Sequence, residues 1–228
     1  MKIGILAAMN KEVELILPLM RNRRDGNLKN LKVSYGDIGE HEVCVATCGI
    51  GKVNSAMSAM RLIDGFSPDL VINSGVAGGA DKSMHVLDLL IATKVSYHDV
   101  WCGPETSLGA ANGLDVYLPA DERFIEAAKE TLYGGNIRYG IICSGDRFIT
   151  TEEEVAGIKS NFPDCLAVDM ESASIAQVCV MNGIPFAVVR AISDTPGSGE
   201  NISQYENFWS DAPAETFNAL RSVLSILK

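Results

Sequence analysis

Short apolar segments alternate along the chain with segments whose apolar residues recur at helical spacing. Residues 3–8 form the first apolar segment, and Val13 and Leu17 then share one face of a helical segment. This alternation predicts a three-layered α/β fold with mainly parallel strands, because a crossover helix returns the chain to start each parallel strand. The predicted buried strands are 3–8, 70–73, 137–143, 166–168 and 185–192.

The chain has 228 residues, of which 47% are hydrophobic. This length supports one large core but is short for two, so we expect one domain over residues 1–228. With 19 basic and 29 acidic side chains, the formal net charge is −10. We therefore expect no nucleic-acid and no membrane partner, because both partners bind through cationic surfaces.

No apolar run approaches the roughly 20 residues of a membrane helix. The first apolar run is short, and charged residues follow it from Lys11, which is unlike a secretory signal. We therefore expect a cytoplasmic protein. The six cysteines form no Cys-x-x-Cys pair and the three histidines do not cluster, so the sequence predicts neither a metal site nor a disulfide scaffold.

Acidic residues follow four of the five predicted strands. Glu12, Asp146, Glu171 and Asp194 come just after strands, and the glycine-rich segment 75–79 follows the remaining one. Ligands bind α/β sheets at the carboxyl ends of the strands. Each acid alone fits an ordinary role in a turn or in the first turn of a helix. Their shared position favours a site in which crowding raises carboxyl pKa values, so that one acid can donate a proton.

Several familiar motifs are absent. Residues 49–52 (GIGK) hint at a phosphate-binding loop, but residue 46 is Ala and residue 53 is Val, which breaks the pattern. Neither G-x-G-x-x-G nor G-x-S-x-G occurs. The sequence therefore predicts neither a dinucleotide-binding turn nor a nucleophilic serine on an elbow.

Six short segments carry a family resemblance through their order and spacing. They are 4–9 (GILAAM) with Glu12, 49–54 (GIGKVN), 73–79 (NSGVAGG), 143–149 (CSGDRFI), 168–173 (VDMESA) and 188–194 (VVRAISD). Together they resemble the 5′-methylthioadenosine/S-adenosylhomocysteine nucleosidases of the purine nucleoside phosphorylase superfamily. The resemblance covers residues 1 to about 208.

The resemblance implies a central, mixed, partly barrel-like sheet flanked by helices. It implies hydrolysis of the N-glycosidic bond of adenine nucleosides to adenine and a 5-thio-substituted ribose, with no cofactor or metal, by a homodimer. By position, Glu12 matches the residue that activates the attacking water, and Asp194 matches the acid that protonates adenine N7. Glu171 and Met170 match the pair that grips the ribose.

The resemblance also implies which residues line the substrate pocket. Phe148 and Ile149 match the adenine platform, and Tyr205 stands where the family has an aromatic cap, usually Phe. The remaining pocket residues implied by these motifs are Met9, Ile50, Ala77, Gly78 and Ser193. Two departures concern the ribose and 5′ sides: Asp169 replaces a frequent Glu, and residues 100–117, which in the family line the 5′ pocket across the dimer interface, match poorly.

Three alternatives remain open. A purine nucleoside phosphorylase would need cations for phosphate, and the nearby cations expected from the sequence are Lys11 and Lys52, beside the acidic Glu12. A hydrolase of another 5′-modified adenine nucleoside, such as aminodeoxyfutalosine, would share the motifs and differ at the 5′ pocket. A catalytically silent nucleoside-binding protein would have no need of Glu12.

Overall fold

The computed structural model describes residues 1–111, 113–211 and 213–228. Its strands form one sheet flanked by helices. The strands are β1 (Lys2–Ala7), β2 (Arg21–Leu28), β3 (Leu31–Ile38), β4 (His41–Thr47), β5 (Leu70–Gly79), β6 (Leu89–Tyr97), β7 (Leu118–Pro119), β8 (Ile137–Ser144), β9 (Cys165–Asp169) and β10 (Phe186–Asp194). The helices are α1 (Asn10–Ile16), α2 (Lys52–Phe66), α3 (Glu122–Thr131), α4 (Glu152–Asn161), α5 (Ser172–Met181), α6 (Asn201–Asp211) and α7 (Pro213–Leu224).

Five of the strands close into a ring. The order β10–β6–β8–β9–β5 is completed by pairing of β10 with β5, and β1, β4, β3 and β2 extend from β5 as an open sheet. The long strand β5 joins the two parts, because its first half pairs with β1 and its last two residues pair with β9. The expected mixed, partly barrel-like α/β sheet is confirmed.

The expectation of mainly parallel strands is wrong. Within the described residues, five strand pairings are parallel and five are antiparallel. The hairpins that link β2, β3 and β4 are antiparallel, and so are the β10–β6 and β5–β9 pairings that close the ring. Strand β2 was not predicted, because its exposed sequence RNRRDGNL carries no apolar alternation and is held at the sheet edge by pairing with β3.

The predicted apolar strands form the core. Strands β1 and β10 are buried along almost their whole lengths, which explains why they read as continuous apolar runs rather than alternating ones. Helix α2 packs against α5, and α7 packs against α1 and α3. These helices cover sheet surface that would otherwise face water.

The ring brings carboxyl ends of strands together from opposite directions. Strands β5 and β9 are antiparallel and pair only through Gly78 with Val168 and Gly79 with Ala167, at the carboxyl end of each. Strand β10 runs parallel to β5 and places Asp194 beside Gly78. Segments that follow three different strands therefore meet at one point of the sheet.

Candidate active site

A cavity of about 340 Å³ lies where these strand ends meet. All twelve pocket residues predicted from the sequence line it: Met9, Glu12, Ile50, Ala77, Gly78, Phe148, Ile149, Met170, Glu171, Ser193, Asp194 and Tyr205. The other lining residues are Ala8, Val76, Arg147, Val168 and Asp169. The walls are mainly apolar, and the carboxyl groups of Glu12, Asp169, Glu171 and Asp194 with few other polar groups interrupt them, as is typical of a small-molecule site.

Glu12 is held at the amino end of α1 by main-chain donors. Its Oε2 accepts the N–H of Met9 at 2.8 Å, and its Oε1 accepts the N–H of Val76 at 3.0 Å. The side chain is only 1% exposed. Burial raises the pKa of Glu12, and the Arg190 charge and the main-chain hydrogen bonds oppose that rise. The carboxylate is thus fixed in place and more basic than one in water.

Glu171 occupies the turn between β9 and α5. Its Oε1 accepts the N–H of Gly51 at 3.0 Å, and its Oε2 lies 3.6 Å from Nη2 of Arg190. Burial and the neighbouring Asp169 raise the pKa of Glu171, while Arg190 opposes that rise. The Gly51 bond ties the turn after β9 to the loop before α2, which also carries the pocket residue Ile50.

Asp194 ends strand β10. Its Oδ1 accepts the Ser193 hydroxyl at 2.7 Å, whereas its buried Oδ2 has no hydrogen-bond partner among the described residues. Burial raises the pKa of Asp194, and the side chains of Ser193 and Asn201 offset part of that rise. A carboxyl group of this kind is stabilised in its protonated form and can donate its proton to a ligand.

An aromatic wall closes the cavity between two loops and α6. The rings of Phe148 and Tyr205 lie 5.6 Å apart in an edge-to-face arrangement. The Tyr205 hydroxyl donates to the sulfur of Met9 at 3.3 Å, and Lys11 Nζ lies 3.6 Å from the centre of the Trp209 ring. These contacts hold α6 beside the residues that follow β1, and a flat ligand has an aromatic face available to stack on.

Arg190 is a residue of the site that sequence reasoning missed. It is completely buried in the middle of β10. Its Nε and Nη2 donate to Asp169 Oδ2 at 3.0 and 2.6 Å, and Nη2 also donates to Asn73 Oδ1 at 2.5 Å. Its Nη1 has no partner in the described part of the chain. The sequence feature that could have identified Arg190 is its position as the one cation in the apolar predicted strand 185–192. A charge in a buried strand stays ionised only when it has buried partners.

Gly75 leaves the space in which Arg190 and Glu12 approach each other. A Cβ atom at this position would lie 2.5 Å from both Arg190 Nη1 and Glu12 Oε1. The two charged groups therefore lie on either side of one glycine. This arrangement explains why Arg190 opposes the rise of the Glu12 pKa.

Two sequence expectations about charge are corrected. Asp146, the fourth acid after a strand, does not line the cavity; its Oδ1 accepts the N–H of Lys52 at the start of α2, at 2.7 Å. Lys11 and Lys52 are not the principal cations, because Arg190 lies closer to the carboxylates and Arg147 lines the cavity. Arg147 is paired with Glu154 at 2.7 Å.

The described ranges contain neither a metal-binding cluster nor a membrane-spanning helix. No group of three or more His, Cys, Asp or Glu side chains there could hold a metal ion. None of the helices described is long and apolar enough to cross a membrane.

Comparison with known proteins identifies the family. The phosphorylase superfamily matches residues 2–225. The chain is 39% identical, over the full length of both proteins, to the 5′-methylthioadenosine/S-adenosylhomocysteine nucleosidase of Actinobacillus succinogenes. The chain belongs to the 5′-methylthioadenosine/S-adenosylhomocysteine nucleosidase family. Enzymes of this nucleosidase family hydrolyse an N-glycosidic bond, and the chain is an enzyme of that class.

Solved structures agree with this nucleosidase assignment. The Streptococcus pneumoniae nucleosidase with the transition-state inhibitor MT-ImmA is 34% identical with a TM-score of 0.95, and the match covers both chains completely. Futalosine hydrolase of Helicobacter pylori is 31% identical with a TM-score of 0.89, covering 98% of this chain and 97% of that one. The nucleosidase fold therefore serves more than one nucleoside among these relatives.

Proposed function

We propose that the protein hydrolyses 5′-methylthioadenosine and S-adenosylhomocysteine to adenine and the corresponding 5-thio-substituted ribose. The observation that carries this proposal is an apolar cavity lined by four buried acids. Two of these acids, Glu12 and Asp194, suit the two proton transfers that hydrolysis requires. Asp194 protonates the leaving base, and Glu12 activates the attacking water. The names of the relatives supply the substrate class.

At the leaving group, Asp194 donates a proton to adenine N7 as the bond between N9 and C1′ breaks. Its raised pKa and its unpartnered Oδ2 suit this role, because general acids work best when protonated near the operating pH. Phe148 and Ile149 form the adenine platform, and Ser193 orients Asp194 through its hydroxyl. The bond electrons move to the base, which leaves as neutral adenine.

At the ribose, the transition state develops positive charge on C1′ and the ring oxygen. Glu171 and Met170 grip the sugar, where a carboxylate accepts hydrogen bonds from hydroxyl groups and stabilises the developing charge. Glu12 takes a proton from the water that attacks C1′, which completes the hydrolysis. Met9, Ile50, Ala77 and Gly78 line the ribose and 5′ side, and Tyr205 caps it.

Hydrolysis is favoured over phosphorolysis because of where the cations lie. A phosphate ion in the cavity would meet Glu12, Glu171 and Asp194, while the buried Arg190 is already bound to Asp169 and the lining Arg147 to Glu154. A phosphorylase needs cationic groups free to chelate phosphate. The second candidate function is hydrolysis of another 5′-modified adenine nucleoside, which the similarity to futalosine hydrolase favours.

We also propose that the protein is a homodimer. Apolar side chains lie exposed along α2, with Val53 70% and Met57 48% exposed, and Met181 at the end of α5 is 70% exposed. Asn182 Nδ2 lies 3.7 Å from the sulfur of Met60, which places this end of α5 beside α2. A second copy would cover this face, and residues 100–117 would complete the partner's 5′ pocket as the family resemblance implies.

The proposed activity is tested by following base release from methylthioadenosine, S-adenosylhomocysteine and inosine, with and without phosphate. We expect adenine and free sugar from the first two, independent of phosphate. A requirement for phosphate with formation of a sugar 1-phosphate would make the enzyme a phosphorylase. Absence of release would contradict this substrate class and direct the assay to other 5′-modified adenine nucleosides.

The water-activating role is tested with Glu12→Gln. Glutamine keeps the shape and can accept a main-chain hydrogen bond, but it cannot take a proton from water. We expect hydrolysis to fall by about 10²-fold or more, while adenine binding measured by calorimetry stays near that of the wild type. Persistent hydrolysis would contradict the role.

A further inference from the structure

Three loops around the cavity are tied together by an ion network of Lys52, Asp99 and Asp146, which plays no part in the proposed chemistry. Lys52 Nζ donates to Asp99 Oδ2 at 2.8 Å and lies 3.9 Å from Asp146 Oδ2. The same Asp99 oxygen accepts the N–H of Asp146 at 2.9 Å. Each member therefore contacts both others.

Each loop of the Lys52 ion network leads to a different part of the cavity. Lys52 follows Ile50 and Gly51, and Gly51 donates its N–H to Glu171. Asp146 precedes Phe148 and Ile149, which line the cavity. Asp99 begins the segment that runs into residues 100–117. The Lys52 ammonium group thus connects the loop on the ribose side, the loop on the adenine side and the segment 100–117.

The backbone at this place is adapted to the network. Gly51 has φ +90, and a Cβ atom there would lie 3.0 Å from Asp146 Oδ1. Helix α2 has no side-chain cap from its own N-cap residue, and the Asp146 carboxylate instead accepts the N–H of Lys52 from another loop. An acid at this end of a helix is also favoured by the helix dipole. The loop before α2 and the loop after β8 are therefore linked directly by this hydrogen bond.

We infer that Lys52, Asp99 and Asp146 are positioning residues that hold the ribose-side and adenine-side loops in register for substrate binding. The inference deepens the proposed function and rests on it. Lys52 does not line the cavity, so it acts through Gly51 and through the loop of Phe148. Loss of the network is expected to weaken binding more than turnover, because Glu12 and Asp194, the acids that transfer protons, keep hydrogen bonds to groups outside the network.

The chain offers a matched control. Lys159 and Asp81 form an ion pair at 2.5 Å, with side chains 24% and 30% exposed, against 23% and 31% for Lys52 and Asp99. This second pair lies outside the cavity lining. Lys52→Met and Lys159→Met therefore remove the same charge from equally exposed pairs, and only the first breaks the Lys52 ion network.

The first measurement is hydrogen–deuterium exchange of the ligand-free protein. We expect Lys52→Met to speed exchange about tenfold in both segments 49–55 and 144–150, and Lys159→Met to leave both unchanged. Asp99→Asn, which keeps the side-chain shape, should also speed exchange in both segments. Lys52→Arg, which keeps the positive charge, should exchange at the wild-type rate. Unchanged exchange in segment 144–150 of Lys52→Met would overturn the inference, and this readout needs no catalytic activity.

The second measurement is steady-state kinetics with methylthioadenosine. Lys52→Met should raise KM about tenfold, as expected for the loss of a charge-assisted contact, with kcat changed less than about threefold. Lys52→Arg and Lys159→Met should each keep the wild-type KM. An unchanged KM in Lys52→Met would overturn the inference. A wild-type enzyme that does not cleave this nucleoside would overturn the proposed function instead, and exchange would still decide the role of Lys52.

Discussion

At the scale of single residues, the site depends on carboxyl groups that are kept out of water. Glu12, Glu171 and Asp194 are all buried, and burial raises the pKa of each. The three differ in their partners: Glu12 and Glu171 accept main-chain N–H groups near Arg190, whereas one oxygen of Asp194 accepts no hydrogen bond from the residues that the structure describes. This difference is the basis on which we propose Asp194 as the proton donor and Glu12 as the acceptor.

Asp194→Asn tests the proton donor. The amide still accepts the Ser193 hydroxyl but cannot protonate adenine N7. We expect kcat to fall by about 10²–10⁴-fold and substrate affinity to stay within about tenfold. Single-turnover kinetics with calorimetric binding separates the two effects, and a near-normal kcat would refute the assignment.

The same substitution has an expected effect on stability. Because burial raises the pKa of Asp194 in the folded state, the folded protein loses stability as pH rises from the ordinary carboxyl value through the raised one. Asparagine does not titrate. The Tm of Asp194→Asn should therefore exceed that of the wild type by more at pH 8 than at pH 5, by about 2–4 °C for each kcal/mol.

Asp81→Asn provides the opposite case. The hydrogen bond from Lys159 lowers the pKa of Asp81 to about 2, so its stabilising contribution is complete at every pH well above its ordinary value. Its removal should lower Tm equally at pH 5 and pH 8. A Tm difference between Asp194→Asn and wild type that does not grow with pH would contradict the raised pKa.

At the scale of elements, strand β5 decides the geometry of the site. Its first residues pair with β1 and its last two with β9, and between these parts Gly75 lets Arg190 and Glu12 approach. The helices contribute less to position, since Glu12 is held by main-chain groups at its own helix end and at Val76 of β5.

Gly75→Ala tests this feature of β5. The added Cβ would lie 2.5 Å from two buried charged atoms, so Glu12 and Arg190 must separate. We expect kcat to fall by about 10²-fold and stability to fall by about 2 kcal/mol. Gly39→Ala, where φ is +60 and a Cβ would lie 3.8 Å from the Leu224 carbonyl oxygen, serves as a control for glycine removal at positive φ away from the cavity. Wild-type kcat in Gly75→Ala would contradict the close approach.

At the scale of the whole molecule, the apolar face on α2 and α5 predicts self-association. Light scattering at micromolar concentration should give the mass of a dimer, twice 24.5 kDa. Val53→Glu together with Met57→Glu should give monomers, because burying two unpaired carboxylates is unfavourable. A monomeric wild type would contradict the homodimer.

The α/β class, the main buried strands and the segments that form the cavity could be predicted from the amino-acid sequence. These are local properties, since apolar runs and strand-end residues are visible without knowing their neighbours in space. The family resemblance added the pocket residues, all of which line one cavity. The roles proposed for Glu12, Glu171 and Asp194 come from the same resemblance.

The ring closure, the exposed edge strand β2 and the positions of Arg190 and Asp146 could not be predicted from the sequence. Each depends on contacts between residues far apart in the chain. Arg190 meets Asp169 and Asn73 from two other strands, and Asp146 caps a helix that begins 94 residues earlier. The free energy of a buried charge is set by such partners, which is why its sequence position alone did not reveal its role.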